Sequence, residues 1–472
     1  MSLPNIDNLP NCIEDARQAG LDQDPGPSDP LQFNLLRGRL QAAKSKMPPL
    51  YRQAVFDPFV ETLDEIGENG FNQILLSDPE REQTAGLLLD ISHAILQRGE
   101  GFEPKASAAF QEVVSDLYDG FLSVEDRNGV EPPDLEVLPP LVKYGNPDFG
   151  PYTWPADATV NFRLAAGIVN LPPANARRGL FAWSALGHET AGHDILHADN
   201  GLLREVSSAV RAALTQDAST RNLASYWATR IDETASDVLG ILNMGPAPAI
   251  GLVGYFRGLS AAFGGRATLR NDGPSGDPHP ADLVRGFLAA ATVRQLKFSQ
   301  AADWADLIDA EVEKDLTIIR LEGKKIDAQV ARRSAEIVAQ VIVSHPMSSL
   351  EQHALGQIQN WRDEDEEIVE QLRARLTTAK GLPAALTRGV YAAHLVAAAT
   401  MAALTEGSNI PLLFHRMLDL LKLMNDKNPS FGPLRVKHPG NITRDRTYLP
   451  FGPAVSDEIR LAASASGRQK KG

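Results

Sequence analysis

The chain has 472 residues, a formal net charge of −14 and a single cysteine, Cys12, with 43% hydrophobic and 22% charged residues. That length supports two or three domains and a large core, while the acidic balance excludes a general nucleic-acid binder, which needs a basic face for phosphates. One cysteine excludes an intrachain disulfide and a thiolate-built zinc site, so any metal must be held by His, Asp and Glu.

The first thirty residues are polar and proline-bearing, with no charged-then-apolar leader, which gives a cytoplasmic expectation. From about residue 30 to 125, "LQFNLLRGRLQAAKSK", "REQTAGLLLDISHAIL" and "SAAFQEVVSDLYDGFL" place apolar residues at three- and four-residue steps and predict helices. Residues 131 to 155 hold seven prolines, cannot form a long helix, and mark the best domain boundary. In "ATVNFRLAAGIVNLPP", Val160, Phe162 and Leu164 alternate with polar residues, which predicts a strand over residues 158 to 170. A helix follows in "NARRGLFAWSALGHETAGHDILH", with Asn175 as its expected cap.

Helical periodicity then dominates "ASYWATRIDETASDVLGIL", "ADLVRGFLAAATVRQL", "AQVARRSAEIVAQVIV" and "LLFHRMLDLLKLM". The longest apolar run, Gly389 to Leu404, is short, alanine-rich and contains His394, so it reads as a buried helix and not a membrane span. The C-terminal end is rich in Pro, Gly and Arg and reads as irregular, with "GRQKKG" a solvated basic tail. The expected fold is mainly α (α+β), with a small sheet before the histidine-rich helix. Its regions are a helical 1–130, a metal-binding core over 131–300 and a helical 301–472.

Chemistry concentrates in "GHETAGHDILHADNGLL", residues 187 to 203, which holds His188, Glu189, His193 and His197. Residues four apart on a helix differ by only about 40°, but His188 and His193 are five apart and would point about 140° away from each other. One inserted residue absorbed as a π-bulge would realign them, and Gly192 would ease the distortion. Forty residues on, "RIDETASDVLG" places Glu233 and Asp237 four apart on a predicted helix. Glu233 could be a third ligand, Asp237 could accept the N–H of a ligating histidine, and Glu189 could act as general base on a metal-bound water.

These residues resemble the gluzincin metallopeptidases. His188, Glu189 and His193 form an H-E-x-x-G-H similar to that of the dipeptidyl peptidase III branch, while Asp232-Glu233-Thr234-Ala235-Ser236-Asp237 is similar to the N-E-x-x-S-D of the thermolysin branch, departing at its first position. The resemblance covers residues 157 to 245. It implies a zincin-like core, Zn2+ held by His188, His193 and Glu233, a peptide or small-protein substrate, and hydrolysis with Glu189 as base. It also implies a cleft residue that stabilises the oxyanion, for which His279 in "GDPHPADLVR" is the candidate, with Tyr391 behind it. The sheet's edge strand, placed at residues 158 to 170, would pair with an extended substrate.

A regular helix leaves another arrangement open, in which Glu189, His193 and His197 share a face and bind iron as two imidazoles and a carboxylate. A non-peptidase hydrolase on the same fold, or an inactive metal-binding scaffold, is a further alternative. His93, His345, His353, His394, His415 and His438 lack partner spacing and read as structural; Trp154, Trp183, Trp227 and Tyr226 read as core. Neither a nucleic-acid nor a membrane partner is expected.

Overall fold

Helices form where the apolar periodicity is strongest: Phe33–Ala43, Thr84–Glu100 and Pro104–Leu122 early in the chain, then Asp282–Val293, Ala328–Ser344 and Ile410–Asn425. The computed structural model describes residues 4–122, 129–131, 133, 138–148, 150–378 and 390–427, so the irregular C-terminal end and its basic tail lie outside the described residues. Helix Ala392–Leu404 is buried along its whole length. Among the described residues no helix is long and apolar enough to cross a membrane. The described residues are mainly helical, with two small sheets.

The proline-rich segment holds the main difference from expectation. It supplies two of the three strands of the first sheet, Leu138–Tyr144 and Tyr152–Trp154, which flank Ala166–Leu171. Leu138–Tyr144 runs parallel to the central strand and its register shifts between Leu138 and Leu141. Pro139 and Pro140 fall at that shift, having no N–H to give to a ladder. The strand expected over residues 158 to 170 begins only at Ala166. Val160 and Phe162 instead belong to a helical turn, Ala156–Thr159 continuing into Val160–Phe162, that stops at Arg163 with φ 64°, and Leu164 follows it. Phe162 and Leu164 are buried, but so are Thr159 and Asn161, so the alternation does not mark two faces of a strand. Ala166–Leu171 is therefore the central strand, and the two edges are Leu138–Tyr144 and, antiparallel to it, Tyr152–Trp154.

Side chains of the sheet alternate between two cores, as strand geometry dictates. Leu141 and Ile168 join a cluster with Phe33, Phe59, Phe71 and Leu88; Val142, Tyr144, Val169 and Leu171 join a larger one on the other face. That larger cluster runs from Leu9 to Leu421. Contacts cross the positions 131 and 301, with helix Leu9–Gly20 packed on Pro246–Gly264 and Pro104–Leu122 packed on Ile410–Asn425.

Helix Pro246–Gly264 is not among the expected helices, and its interior glycines argue against one. Its Gly251, Gly254 and Gly258 meet Ser184, Phe181 and Ala16, where a Cβ would collide. It forms because two neighbours approach its backbone closely, which outweighs the poor intrinsic helix propensity of glycine.

Candidate metal centre

Asn175 does not cap the histidine-rich helix. It lies in the turn Pro173–Ala176, and the first amides of helix Leu180–Ser184 are met by a distant residue: the Asp15 carboxylate accepts from Gly179 N and Leu180 N, both at 3.0 Å. The chain then widens into a π-helix over Gly187–Asp194. The expected distortion is there, and it spans both histidines. Nε2 of His188 lies 3.0 Å from Nε2 of His193, so the extra residue is absorbed and the rings converge.

The wide turn packs against helix Ile231–Met244. Contact is made through small residues: a Cβ on Gly192 would lie 2.5 Å from Ser236 Cα, and one on Gly240 would lie 2.9 Å from His188 N. Gly192 thus serves close approach as well as backbone freedom. That approach brings Glu233 to the pair, with His188 Nε2 3.3 Å from Oε2 and His193 Nε2 3.5 Å from Oε1. Ligand atoms 2.0–2.2 Å from an ion at tetrahedral angles are separated by about 3.3–3.6 Å. The three observed separations fall close to those edges. His188, His193 and Glu233 are also the one group of His, Cys, Asp and Glu among the described residues that could hold a metal ion.

Carboxylates hold the far side of each imidazole. His188 Nδ1 lies 2.8 Å from Asp237 Oδ1, and His193 Nδ1 lies 3.0 Å from Asp232 Oδ1. Both contacts require Nδ1–H to donate, which leaves two Nε2 lone pairs and a carboxylate facing one point. Such a set demands a cation or protons. Burial disfavours a charged His188, but hydrogen bonds to Asp237 and Glu233 outweigh it and push the imidazole up to about 10. Burial likewise opposes ionisation of Glu233, and the His188 contact, with the charges of His193 and Arg285, holds its carboxyl well below the ordinary range.

A comparison with protein-family models, curated proteins and solved structures finds no match. The centre therefore has to be understood from its own geometry.

Asp232 is the partner that the sequence did not single out. It accepts from His193 and, through Oδ2 at 3.1 Å, from His197 Nε2; His197 Nδ1 reaches Asp157 at 2.7 Å. The available signal was spacing: Asp232 and Asp237 are five apart, like the two histidines they support on the facing helix. Asp237 is fixed by Arg285, whose Nε and Nη2 donate to its two oxygens at 2.7 Å each. That bidentate geometry holds the carboxylate in one orientation. Asp232→Asn and Asp237→Asn should each weaken metal binding by roughly 10–100-fold while preserving the fold, the usual effect of losing a carboxylate behind a ligating imidazole. Titration against a competing chelator checks this; unchanged affinity would show that the carboxylate gives the ligating imidazole no support.

Glu189 turns away from the three-residue group and lines the same cavity. It is 5% exposed, and Oε2 accepts from Thr153 Oγ1 at 2.8 Å, from the edge strand. With the helix widened, the set Glu189, His193 and His197 on one face of a regular helix does not form. His197 serves the two aspartates instead. His279 reaches the centre from the opposite wall, with Nε2 3.3 Å from Glu233 Oε1 and its loop tied by Asp277 to its own backbone N–H. Tyr391 does not line the cavity. It caps helix Ala392–Leu404 beside His394, 5.7 Å between ring centroids. Tyr152 and Tyr255 do line the cavity, and the Tyr255 hydroxyl is raised by burial and by the nearby charge of Glu189.

Of the residues expected to be structural, His93 and His394 pair with Asp29 and Asp365 outside the cavity, and Trp183, Trp227 and Tyr226 are buried. Trp154 is only half-buried and donates through Nε1 to Asp90 at 2.8 Å, helping hold the edge strand in place.

Proposed function

We propose that the protein is a zinc-dependent peptide hydrolase with a zincin-like core, in which His188, His193 and Glu233 hold Zn2+. The observation that carries the reading is the convergence of two Nε2 atoms and one carboxylate within 3.0–3.5 Å, each imidazole backed by an aspartate. All-nitrogen and oxygen donors in a three-ligand set suit a catalytic zinc that keeps one position open. When bound, the ion supplies a Lewis acid and a water of lowered pKa.

Glu189 takes the proton from the attacking water and returns it to the leaving amine. Thr153 donates to Oε2 of Glu189 and so keeps the other oxygen available. His279 and Tyr255 both line the cavity, and each is a donor available to an oxyanion. Tyr152–Trp154, the sheet edge beside Glu189, offers main-chain groups to an extended substrate.

Purified protein should carry about one zinc per chain by elemental analysis. A chelator should remove it and abolish cleavage of a mixed peptide library, and zinc should restore both. Stoichiometric iron in place of zinc would overturn the assignment. Zinc without cleavage of any peptide would leave a metal-binding scaffold.

A further inference from the structure

The cavity that holds the metal-ligating group has a volume of about 490 Å³ and an apolar as well as a polar lining. Pro248, Leu252, Phe256, Leu259 and Phe263 recur at three- and four-residue steps along helix Pro246–Gly264, and all five line it. Such a stripe ordinarily faces a core. Here Leu252, Phe256 and Leu259 are only half-buried, and Phe263 is 66% exposed. The glycine face of the helix makes the packing contacts, so the apolar face is left to the cavity. From Leu252 to Phe263 the stripe runs about 16 Å at helical rise. It passes the metal-ligating group at Phe256, over whose ring the Arg285 guanidinium sits at 4.8 Å. Ala16, Ala19 and Gly20 of helix Leu9–Gly20 also line the cavity, and Gly20 lies against Leu259 and Phe263 at the outer end of the stripe.

Charge narrows the occupant further. Arg285 is the sole Lys or Arg among the lining residues, and its guanidinium is committed to Asp237. Among the described lining residues no Lys or Arg is left to receive a substrate carboxylate, and Asp148, Glu189 and Asp232 add negative charge.

We infer that the site selects substrates carrying a long apolar group next to the scissile bond, seated along Leu252, Phe256 and Leu259, and rejects a free carboxylate there. This deepens the zinc-hydrolase reading and rests on it. The test uses two metal-chelating probes that differ only in their tails, acetohydroxamate and octanohydroxamate, titrated calorimetrically into the zinc-loaded full chain. Octanohydroxamate should bind roughly 100-fold more tightly, on the scale of partly burying its extra methylenes. Leu252→Glu should reduce that ratio to about fivefold or less by placing a charge against the tail. Leu259→Glu, nearer the opening, should do the same where the first variant folds poorly. If both probes bind wild type with equal affinity, the apolar seat is wrong and the metal centre stands. If neither binds, the metal reading fails and takes this inference with it.

Discussion

Glu189→Gln should retain its metal and lose peptide hydrolysis by a factor of about 10²–10⁴, the range associated with removing a general base. Glu189 lies beside His188 in sequence, yet its side chain turns to Thr153 and is absent from the ligand group. Glutamine preserves the shape and can still accept the Thr153 hydroxyl through its carbonyl oxygen, so the cavity wall should be undisturbed. What it cannot do is take a proton from water. Metal content, thermal midpoint and turnover measured side by side on wild type and variant separate the possible roles. Loss of metal would make Glu189 a ligand, as in an iron site, and overturn its role as base. Metal retained with turnover unchanged would place the base elsewhere.

Gly192→Ala should destabilise the protein by about 3 kcal/mol, the upper part of the usual range for overpacking, and disable the site. Its Cβ would fall 2.5 Å from Ser236 Cα, a backbone atom that can move only with its helix. Relief requires the wide turn and helix Ile231–Met244 to separate by about an ångström. Glu233 is carried on one of these helices, His188 and His193 on the other, so their 3.3 and 3.5 Å separations open with them. A displacement of that size costs on the order of 100-fold in rate. Thermal denaturation and zinc retention are the measurements. Wild-type stability and zinc content would show that the two helices can slide, and that glycine at 192 is incidental.

The local pattern of the sequence determined the helices and the chemistry-bearing residues. Spacing alone placed Glu233 and Asp237 on one face of a helix, and the five-residue gap between His188 and His193 required a widened turn if they were to meet. Both are statements about neighbours along one element, and helical geometry makes such statements from sequence.

Tertiary structure decided what each of those groups touches. Asp15 ends up on the amides of Gly179 and Leu180, Arg285 on Asp237, and Thr153 on Glu189, across separations that no periodicity encodes. The strand was misplaced for the same reason. Apolar residues alternate at Val160, Phe162 and Leu164, and a tight turn can bury Phe162 and Leu164 as well as a strand does. The true edge strands lay in a proline-rich segment whose local composition argued against them, because pairing with Ala166–Leu171 is a long-range gain. Helix Pro246–Gly264, with Tyr255 and the apolar stripe, escaped notice because its glycines are favourable only where Phe181, Ser184 and Ala16 press against them. Sequence periodicity records which face of a segment is buried; the identity of the partner is settled only when the chain closes on itself.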